Sequence, residues 1–427
     1  MLGALLLACT APAAQQPAMS QRDMPEYLNP HAARLKPLRI QRLIGERVKK
    51  NGIEAETADL RERLARLAER GDRSRLEAVC LALREPWLLP SLVEHYSRHF
   101  EKDSLRLSLT HAADLVDSLE EYVDHTELVE TGDPKDLRIP SDSMEEILGW
   151  IEENLARANE QVDRALAKLE PADREHVAAH WLDLSERFEE HIYLYTDEDE
   201  ERRRRNEETI RIGESVGRGS LLQAAGWAWK IEVAAQYLRG AAEAEGLDVT
   251  KKVVAERSTP HGRILIAGTG NDWHRSGDVA VLIDLGGDDF YSNNIASTVG
   301  QAEEPALGVS VLVDLEGNDA YEATHRGAMG FGLLGVGLLV DHAGNDSYVG
   351  LRWTQGAGYM GVGMLVDLEG DDRYRCHALS QGVGLWGFGM LADFAGDDRY
   401  EGHVLAQAVG LAGGAGVLHD QGGDDEY

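Results

Sequence analysis

The pattern of hydrophobic and polar positions changes once along the chain, from helical spacing to strand-like alternation. Apolar residues recur three and four positions apart over 147–169, which predicts a long amphipathic helix. Ser143 and Glu146 give this helix a capping-box sequence at its start. Similar spacing continues in the next residues, and a strongly apolar stretch at 216–245 predicts a buried helix. We therefore expect an all-α domain over residues 20–255.

From residue 264 onward the apolar positions alternate as they do in β-strands, and the pattern repeats. Each glycine-spaced apolar run ends in an acidic turn of the form Asp-x-x-Gly-(Asp/Asn)-Asp-x-Tyr. The first Asp of these turns recurs at separations of 30, 27, 26, 26 and 27 residues. A fixed period of this size indicates stacked repeats, so we expect a multidomain chain in which residues 264–427 form a Gly-rich parallel β-helix or solenoid. β-hairpin blades are the alternative arrangement.

Each acidic turn carries two aspartates at equivalent positions, which we call the leading Asp and, five residues later, the turn Asp. The leading residues are Asp284, Asp314, Asp341, Asp367, Asp393 and Asp420, and the turn residues are Asp289, Asp319, Asp346, Asp372, Asp398 and Asp425. A degenerate copy precedes them, with Asp272 as its turn Asp and Ala267 in place of a leading Asp. Stacking predicts columns of like residues, including a tyrosine stack, an amide ladder of Gln355, Gln381 and Gln407, and adjacent His377 and His403.

The acidic columns raise the question of what neutralises them. Carboxylates about 5 Å apart repel by about 3 kcal/mol at an effective dielectric constant near 20. Residues 264–427 contain 25 Asp and Glu but only 6 Arg and no Lys, so basic side chains cannot balance the charge. A chain with a net charge of −32 is also a poor partner for nucleic acid. We therefore expect divalent cations, calcium above all, because carboxylates and turn carbonyls supply the oxygen ligands that it prefers.

The turn also resembles a known calcium-binding motif. Gly370-Asp-Asp372-Arg-Tyr374 and its equivalents are similar to the G-x-D-x-(apolar) half of the repeats-in-toxin nonapeptide, which forms a parallel β-roll. The resemblance implies that the turn aspartates bind calcium and that the tyrosines point inward. The period of about 26 residues departs from the nonapeptide. Turn capping by Asp without any metal is the alternative explanation.

The N-terminal residues predict export. A short apolar run leads to Leu6-Leu7-Ala8-Cys9, which resembles a bacterial lipoprotein box. The resemblance implies lipidation of Cys9, and Thr10 after it implies an outer-membrane address. An ordinary signal peptide cleaved after residues 11–13 is the alternative. We expect residues 1–19 to be this signal segment and the protein to reach the outer membrane, the periplasm or the cell surface, with membrane contact only through a lipid anchor.

Two pairs of histidines in the helical region have the i, i+4 spacing with which two imidazoles reach one metal. They are His95 with His99 and His176 with His180. Their neighbouring glutamates are misplaced for metalloprotease chemistry, and surface histidines on amphipathic helices are the simpler interpretation. The three cysteines lack zinc-site spacing, so zinc is not expected.

These patterns favour an exported calcium-binding repeat protein with a structural, adhesive or surface-interaction role. Its expected partners are divalent cations and a cell-surface polysaccharide or protein. One alternative is a carbohydrate-active β-helix lyase or hydrolase, with solenoid Arg and His residues along a groove. Another is a metal-dependent hydrolase that uses the histidine pairs. No catalytic residue can be assigned. Solenoids need caps and the sequence stops on a repeat at Tyr427, so we expect further residues beyond it.

Overall fold

The structure is a computed structural model that describes residues 46–69, 143–193, 200–275, 279–293, 296–300, 303 and 305–427. The chain divides into two compact units, Met1–Leu119 and Glu120–Tyr427. In the first unit, residues 46–51 and α1 (Glu54–Glu69) are helical. The helices of the second unit are α2 (Met144–Ala165), α3 (Pro171–Tyr193), α4 (Glu200–Gly213) and α5 (Arg218–Ala244). None of the helices in these ranges has the length and apolar character needed to cross a membrane.

The helices predicted from the apolar spacing are present, but the capping box does not form. Ser143 has the extended backbone of an N-cap residue, yet its side chain makes no capping hydrogen bond. The N–H of Met144, the first helical residue, donates to Oε1 of Glu245, which follows α5, at 2.9 Å. Packing of α2 against the end of α5 therefore satisfies one of the N–H groups that have no partner within the helix.

The predicted parallel solenoid with turns of about 26 residues is confirmed. Its longest sheet, sheet A, has the order β1 (Val253–Thr259), β2 (Gly262–Ala267), β4 (Val279–Asp284), β6 (Val309–Asp314), β9 (Val336–Asp341), β12 (Val362–Asp367), β15 (Phe388–Asp393) and β17 (Ala415–Asp420). Only β1 is antiparallel to its neighbour in this sheet. The other strands pair in register, so that Asp341, Asp367 and Asp393 lie side by side.

Two further sheets complete the solenoid. Sheet B contains β3 (Trp273–Arg275), β5 (Phe290–Ser292), β7 (Ala320–Glu322), β10 (Ser347–Val349), β13 (Arg373–Ala378) and β16 (Arg399–Val404). Sheet C contains β8 (Gly332–Leu333), β11 (Gly358–Tyr359) and β14 (Gly384–Leu385). A coil thus runs from a sheet A strand through the acidic turn to sheet B and back to the next sheet A strand, and three of the coils pass through a sheet C strand on the way.

Helices cover the outer face of sheet A. α5 lies along β6, β9 and β12, and α2 also contacts β6. The six residues of each of these three strands are all buried, because one face meets the helices and the other meets the solenoid core. This explains why the strands are apolar at almost every position rather than strictly alternating.

Two columns of side chains fill the core beside the acidic turns. One column consists of the leucines that lie two residues before the leading Asp in the sheet A strands: Leu282, Leu312, Leu339, Leu365 and Leu391. The other is the predicted tyrosine stack from Tyr291 to Tyr427, with ring centroids 4.7–4.9 Å apart. His274 of the degenerate coil stacks on Tyr291 at 5.0 Å and so occupies the tyrosine position.

The glycines of the acidic turns are required by this close stacking. A Cβ atom added to Gly344 would collide with the carbonyl oxygen of Gly317 in the preceding coil, and Gly344 also has a φ of +155°. Gly396 faces the carbonyl of Gly370 in the same way. Close approach of the backbones of successive coils therefore fixes glycine at this position of the turn.

Candidate metal centre

The leading aspartates point into the solenoid because of strand alternation. Asp341 ends β9 two residues after Leu339, so its side chain lies on the same inward face. Five leading aspartates are completely buried: Asp284, Asp314, Asp341, Asp367 and Asp393. These carboxylates thus lie inside the coil, among leucines and tyrosines.

Most leading carboxylates accept hydrogen bonds from the tyrosine column and from their own turn; the exceptions in the described structure are Oδ2 of Asp284 and Oδ1 of Asp367, which have no such donor. The hydroxyl of Tyr348 donates to Oδ2 of Asp367 in the next coil at 2.7 Å. The same bond joins Tyr321 to Asp341 at 2.6 Å, Tyr374 to Asp393 at 2.6 Å, and Tyr291 to Asp314. Oδ1 accepts the N–H of the second following residue at 3.1–3.2 Å in four coils, at Asp284, Asp314, Asp341 and Asp393.

The turn aspartates form a second buried column with a different bonding pattern. Oδ1 of Asp346 accepts the backbone N–H of Asp319 from the preceding coil at 2.5 Å. This ladder continues through the solenoid with N···O distances of up to 3.1 Å, and it begins at the N–H of Asp272. Oδ2 is buried without a hydrogen-bonding partner in the described part of the chain at Asp289, Asp319, Asp346, Asp372 and Asp398.

The two columns meet in compact groups of three ligands. In each all-aspartate group, the leading and turn Asp of one coil join the turn Asp of the preceding coil, with one oxygen from each residue within 4.8 Å of the others. Oxygens bound to one calcium ion at about 2.4 Å are at most about 4.8 Å apart, so the spacing fits a shared cation. The groups are Asp289, Asp314 and Asp319; Asp319, Asp341 and Asp346; Asp346, Asp367 and Asp372; and Asp372, Asp393 and Asp398.

A further group at the first coil contains a histidine. It consists of His274, Asp284 and Asp289, all buried, again with one ligand atom each within 4.8 Å of the others. Nε2 of His274 lies 2.8 Å from Oδ2 of Asp284. His274 lies two residues after Asp272, as Tyr291 lies two residues after Asp289, and this spacing was the available signal for the residue; the pairing of β3 with β5 places the two side by side.

Burial and mutual repulsion make ionisation of the inner carboxyls unfavourable. Burial, with repulsion from neighbouring aspartates, raises the pKa of Asp319 to about 8 and that of Asp393 to about 9. The same causes raise the pKa of Asp372 to about 7 and those of Asp289 and Asp346 to about 6. Desolvation also holds the pKa of Asp314, Asp341 and Asp367 well above the ordinary value. At neutral pH the column must therefore bind protons or cations.

A third column lies one residue before the turn Asp, on the exposed side of the turn. Its side-chain oxygens accept backbone N–H groups from the next coil at 2.9–3.1 Å, so this ladder runs opposite to the inner one. Hydrogen bonds from Asn318 lower the pKa of the exposed Asp288. The members of this outer column are Asn271, Asp288, Asn318, Asn345, Asp371, Asp397 and Asp424.

The predicted glutamine and histidine columns are present, but the glutamine side chains do not hydrogen-bond to each other as an amide ladder would. Gln355 and Gln381 occupy equivalent positions, but their amides donate to backbone carbonyls of two successive coils rather than to each other. Oε1 of both is buried without a partner in the described structure. His377 and His403 are neighbours, with ring centroids 6.1 Å apart. Among the arginines of the predicted groove, Arg326 pairs with Glu303 and Glu186.

The predicted histidine site in the helical region is only partly described. His176 and His180 lie together on α3, with ring centroids 5.0 Å apart. Nε2 of His176 contacts the carbonyl oxygen of Arg205 at 3.1 Å and the hydroxyl of Thr209 at 3.0 Å. Nδ1 of His180 lies 3.4 Å from Asp183. His95, His99, Cys9 and the signal segment lie outside the described residues, so these predictions stay predictions.

Comparison with known proteins gives no relative from which a function can be transferred. No family model matches the chain, and no curated protein or solved structure matches it. The resemblance to repeats-in-toxin motifs therefore rests on the turn sequence alone. The fold supports two of the features that the resemblance implies, a parallel solenoid and Asp-rich groups that offer metal ligands.

Proposed function

We propose that the solenoid is a calcium-stabilised structural module in which one divalent ion lies in each all-aspartate group. The observation that carries this proposal is the buried Oδ2 of five turn aspartates, which has no hydrogen-bonding partner in the described structure. A buried acceptor without a partner is costly. A cation held between the columns supplies the missing interaction at every coil.

The charge balance supports a divalent ion. Each coil contributes one leading and one turn Asp to the interior, and each turn Asp is shared by two successive groups, as Asp346 is. One ion per coil therefore meets two carboxylate charges per coil, which a 2+ ion neutralises. Carboxylates that ligate a metal must be deprotonated, and the tyrosine hydroxyls and turn N–H groups donate to the oxygens in a way that favours this charged form.

Calcium is the ion that fits the ligands best. All donors in these four groups are hard carboxylate oxygens, which suit calcium and magnesium better than softer metals. Magnesium prefers to keep several water molecules, and the groups are buried among tyrosine and leucine side chains. Calcium sites of modest affinity are typical of extracellular modules, which agrees with the export expected from the N-terminal sequence.

The biological role we propose is that of a rigid exported rod with a structural or adhesive function, facing a surface polysaccharide or protein. Regular repetition of the acidic groups supports a structural role, because a catalytic centre needs a unique arrangement of side chains. The helices α2 and α5 brace sheet A, and the ions are expected to fix the acidic turns at the ends of the strands of that sheet.

Melting of the full chain with and without calcium tests the proposal. Chelator-stripped protein at pH 8 is expected to lose β-structure at a melting temperature at least about 10 °C below that in 1 mM calcium. Equilibrium dialysis is expected to show at least four bound calcium ions per chain, one for each all-aspartate group. Magnesium at the same concentration serves as the control for ionic strength. A melting curve that does not respond to EDTA or to calcium rejects the proposal.

A further inference from the structure

We propose that His274, Asp284 and Asp289 form a site for a zinc-class transition metal at the first coil of the solenoid. This site shares Asp289 with the all-aspartate group of Asp289, Asp314 and Asp319 but adds a histidine nitrogen, and the inference does not require calcium to occupy the other groups. It also replaces the expectation, drawn from cysteine spacing, that the chain has no zinc site.

The ligand atoms of this group are buried and lack hydrogen bonds. His274, Asp284 and Asp289 are 6%, 0% and 3% exposed. Nε2 of His274, Oδ2 of Asp284 and Oδ2 of Asp289 are each buried without a hydrogen-bonding partner in the described structure. Three polar atoms that converge in this way account for the full ligand set of one ion. The burial cost of each is removed when a metal binds all three.

The contact between His274 and Asp284 is that of an ion pair in the metal-free structure. Nε2 and Oδ2 lie 2.8 Å apart. Two ligands of a tetrahedral metal at about 2.0–2.1 Å lie about 3.3–3.4 Å apart, so zinc binding requires these two atoms to separate by about 0.5 Å.

The imidazole changes the preferred metal. Neutral imidazole nitrogen suits zinc, copper, iron and nickel, whereas all-carboxylate groups suit calcium, magnesium and manganese. The two carboxylates of Asp284 and Asp289 balance the charge of one 2+ ion, and the neutral ring adds none. The stack of His274 on Tyr291, at 5.0 Å and 17°, holds the ring in the orientation that directs Nε2 toward both carboxylates.

The neighbouring basic residue explains why this coil uses a histidine. In the other groups the third ligand is the turn Asp of the preceding coil. The equivalent residue here is Asp272, whose Oδ1 lies 3.3 Å from Nζ of Lys252. Asp272 is paired with Lys252, so it is not available as the third ligand of the first coil. His274, which occupies the position of the tyrosine in the other coils, provides the third ligand atom instead.

The variant His274→Tyr provides the test, because it restores the residue found at this position in the other coils. Metal-free full-length protein is titrated with Zn²⁺ by calorimetry, and with Co²⁺ while its visible absorption is recorded. Wild type is expected to bind one zinc ion at least about 100-fold more tightly than the variant, and only wild type is expected to show the cobalt absorption of a nitrogen- and oxygen-bound site.

Matched controls test three other histidines. The double variant His377→Ala/His403→Ala removes the exposed pair on sheet B, and His180→Ala removes one member of the α3 pair. Both are expected to keep the tight zinc ion. If His274→Tyr binds zinc as wild type does, or if wild type binds none tightly, the group is only a His–Asp ion pair and the inference is wrong.

The same samples separate this inference from the calcium proposal. His274→Tyr is expected to keep at least four calcium ions and the calcium-dependent melting, which also shows that it folds. Calcium binding without tight zinc binding overturns the zinc inference alone. Tight zinc binding without any calcium effect leaves the zinc site in place and rejects the proposed function.

Discussion

The outer column and the inner column, which the turn aspartates form, are one residue apart in sequence. Their side chains differ in burial and in the interactions that they make. The outer column contains Asn in three coils and Asp in four, and its oxygens cap backbone N–H groups in solvent. The inner column of turn aspartates is Asp in all seven coils, and five of these residues, Asp289, Asp319, Asp346, Asp372 and Asp398, are buried where a charge is expensive. Capping alone is satisfied by either residue, as the outer column demonstrates. The constant carboxylate of the inner column therefore indicates a second requirement, which we assign to the cation.

The largest expected effect of the inner column is on the pH dependence of the free energy of unfolding when no metal is bound. In the folded state the pKa values are about 6 to 8 for the turn aspartates Asp289, Asp319, Asp346 and Asp372, and about 9 for the leading Asp393. The pKa of an Asp in the unfolded chain is near 3.9. The folded state thus binds more protons, so the free energy of unfolding of chelated protein is expected to decrease as pH rises from about 4 to 9. Urea unfolding at pH 5 and pH 8 measures this loss.

Calcium is expected to abolish most of that pH dependence above pH 7, because bound ions replace the protons. Protein that is equally stable at pH 5 and pH 8 in EDTA would contradict the raised pKa values of the inner column. Repeating the series in 1 mM calcium provides the internal control.

Substitution of adjacent members of the two columns sharpens the comparison. Asp346→Asn removes a carboxylate shared by two groups, so calcium dialysis is expected to show about two fewer ions per chain. The melting temperature is expected to fall in calcium but to rise in EDTA at pH 8, where the substitution removes an uncompensated buried charge.

The matched variant is Asn345→Asp in the outer column, one residue away. We expect it to change stability by less than about 0.5 kcal/mol, as is usual for exposed positions, and to leave the calcium count unchanged. If the two substitutions changed stability and the calcium count equally, the two columns would have the same function. A bound cation would then not be needed to explain why the inner column contains only Asp.

The smallest of the expected effects concerns the tyrosine column. Tyr348→Phe removes the hydroxyl that donates to Oδ2 of Asp367, and Oδ1 of Asp367 has no partner in the described structure. Loss of this bond is expected to lower the free energy of unfolding by about 1–3 kcal/mol, measured by urea unfolding in calcium. Tyr427→Phe, at an exposed position, is the control and should cost less than about 1 kcal/mol.

Much of this architecture could be predicted from local sequence. The repeat period fixed the stacking of like on like, which placed the tyrosines in one column and His377 beside His403. The helical spacing over 147–169 gave α2 nearly to its ends. Predictions of this kind succeed because periodicity is a property of neighbouring residues and does not depend on distant contacts.

The interior position of the aspartates could not be predicted in the same way. The sequence alone determined that a column of carboxylates exists, that it recurs every coil, and that few basic residues accompany it. Only the tertiary structure decided that Asp341 faces inward with Leu339, that Tyr321 binds it from the preceding coil, and that His274 completes a group at the first coil. The Tyr321–Asp341 bond joins residues 20 positions apart, and His274 precedes Asp284 by 10 positions. The winding of the coil, not the local chain, sets which side chains face each other.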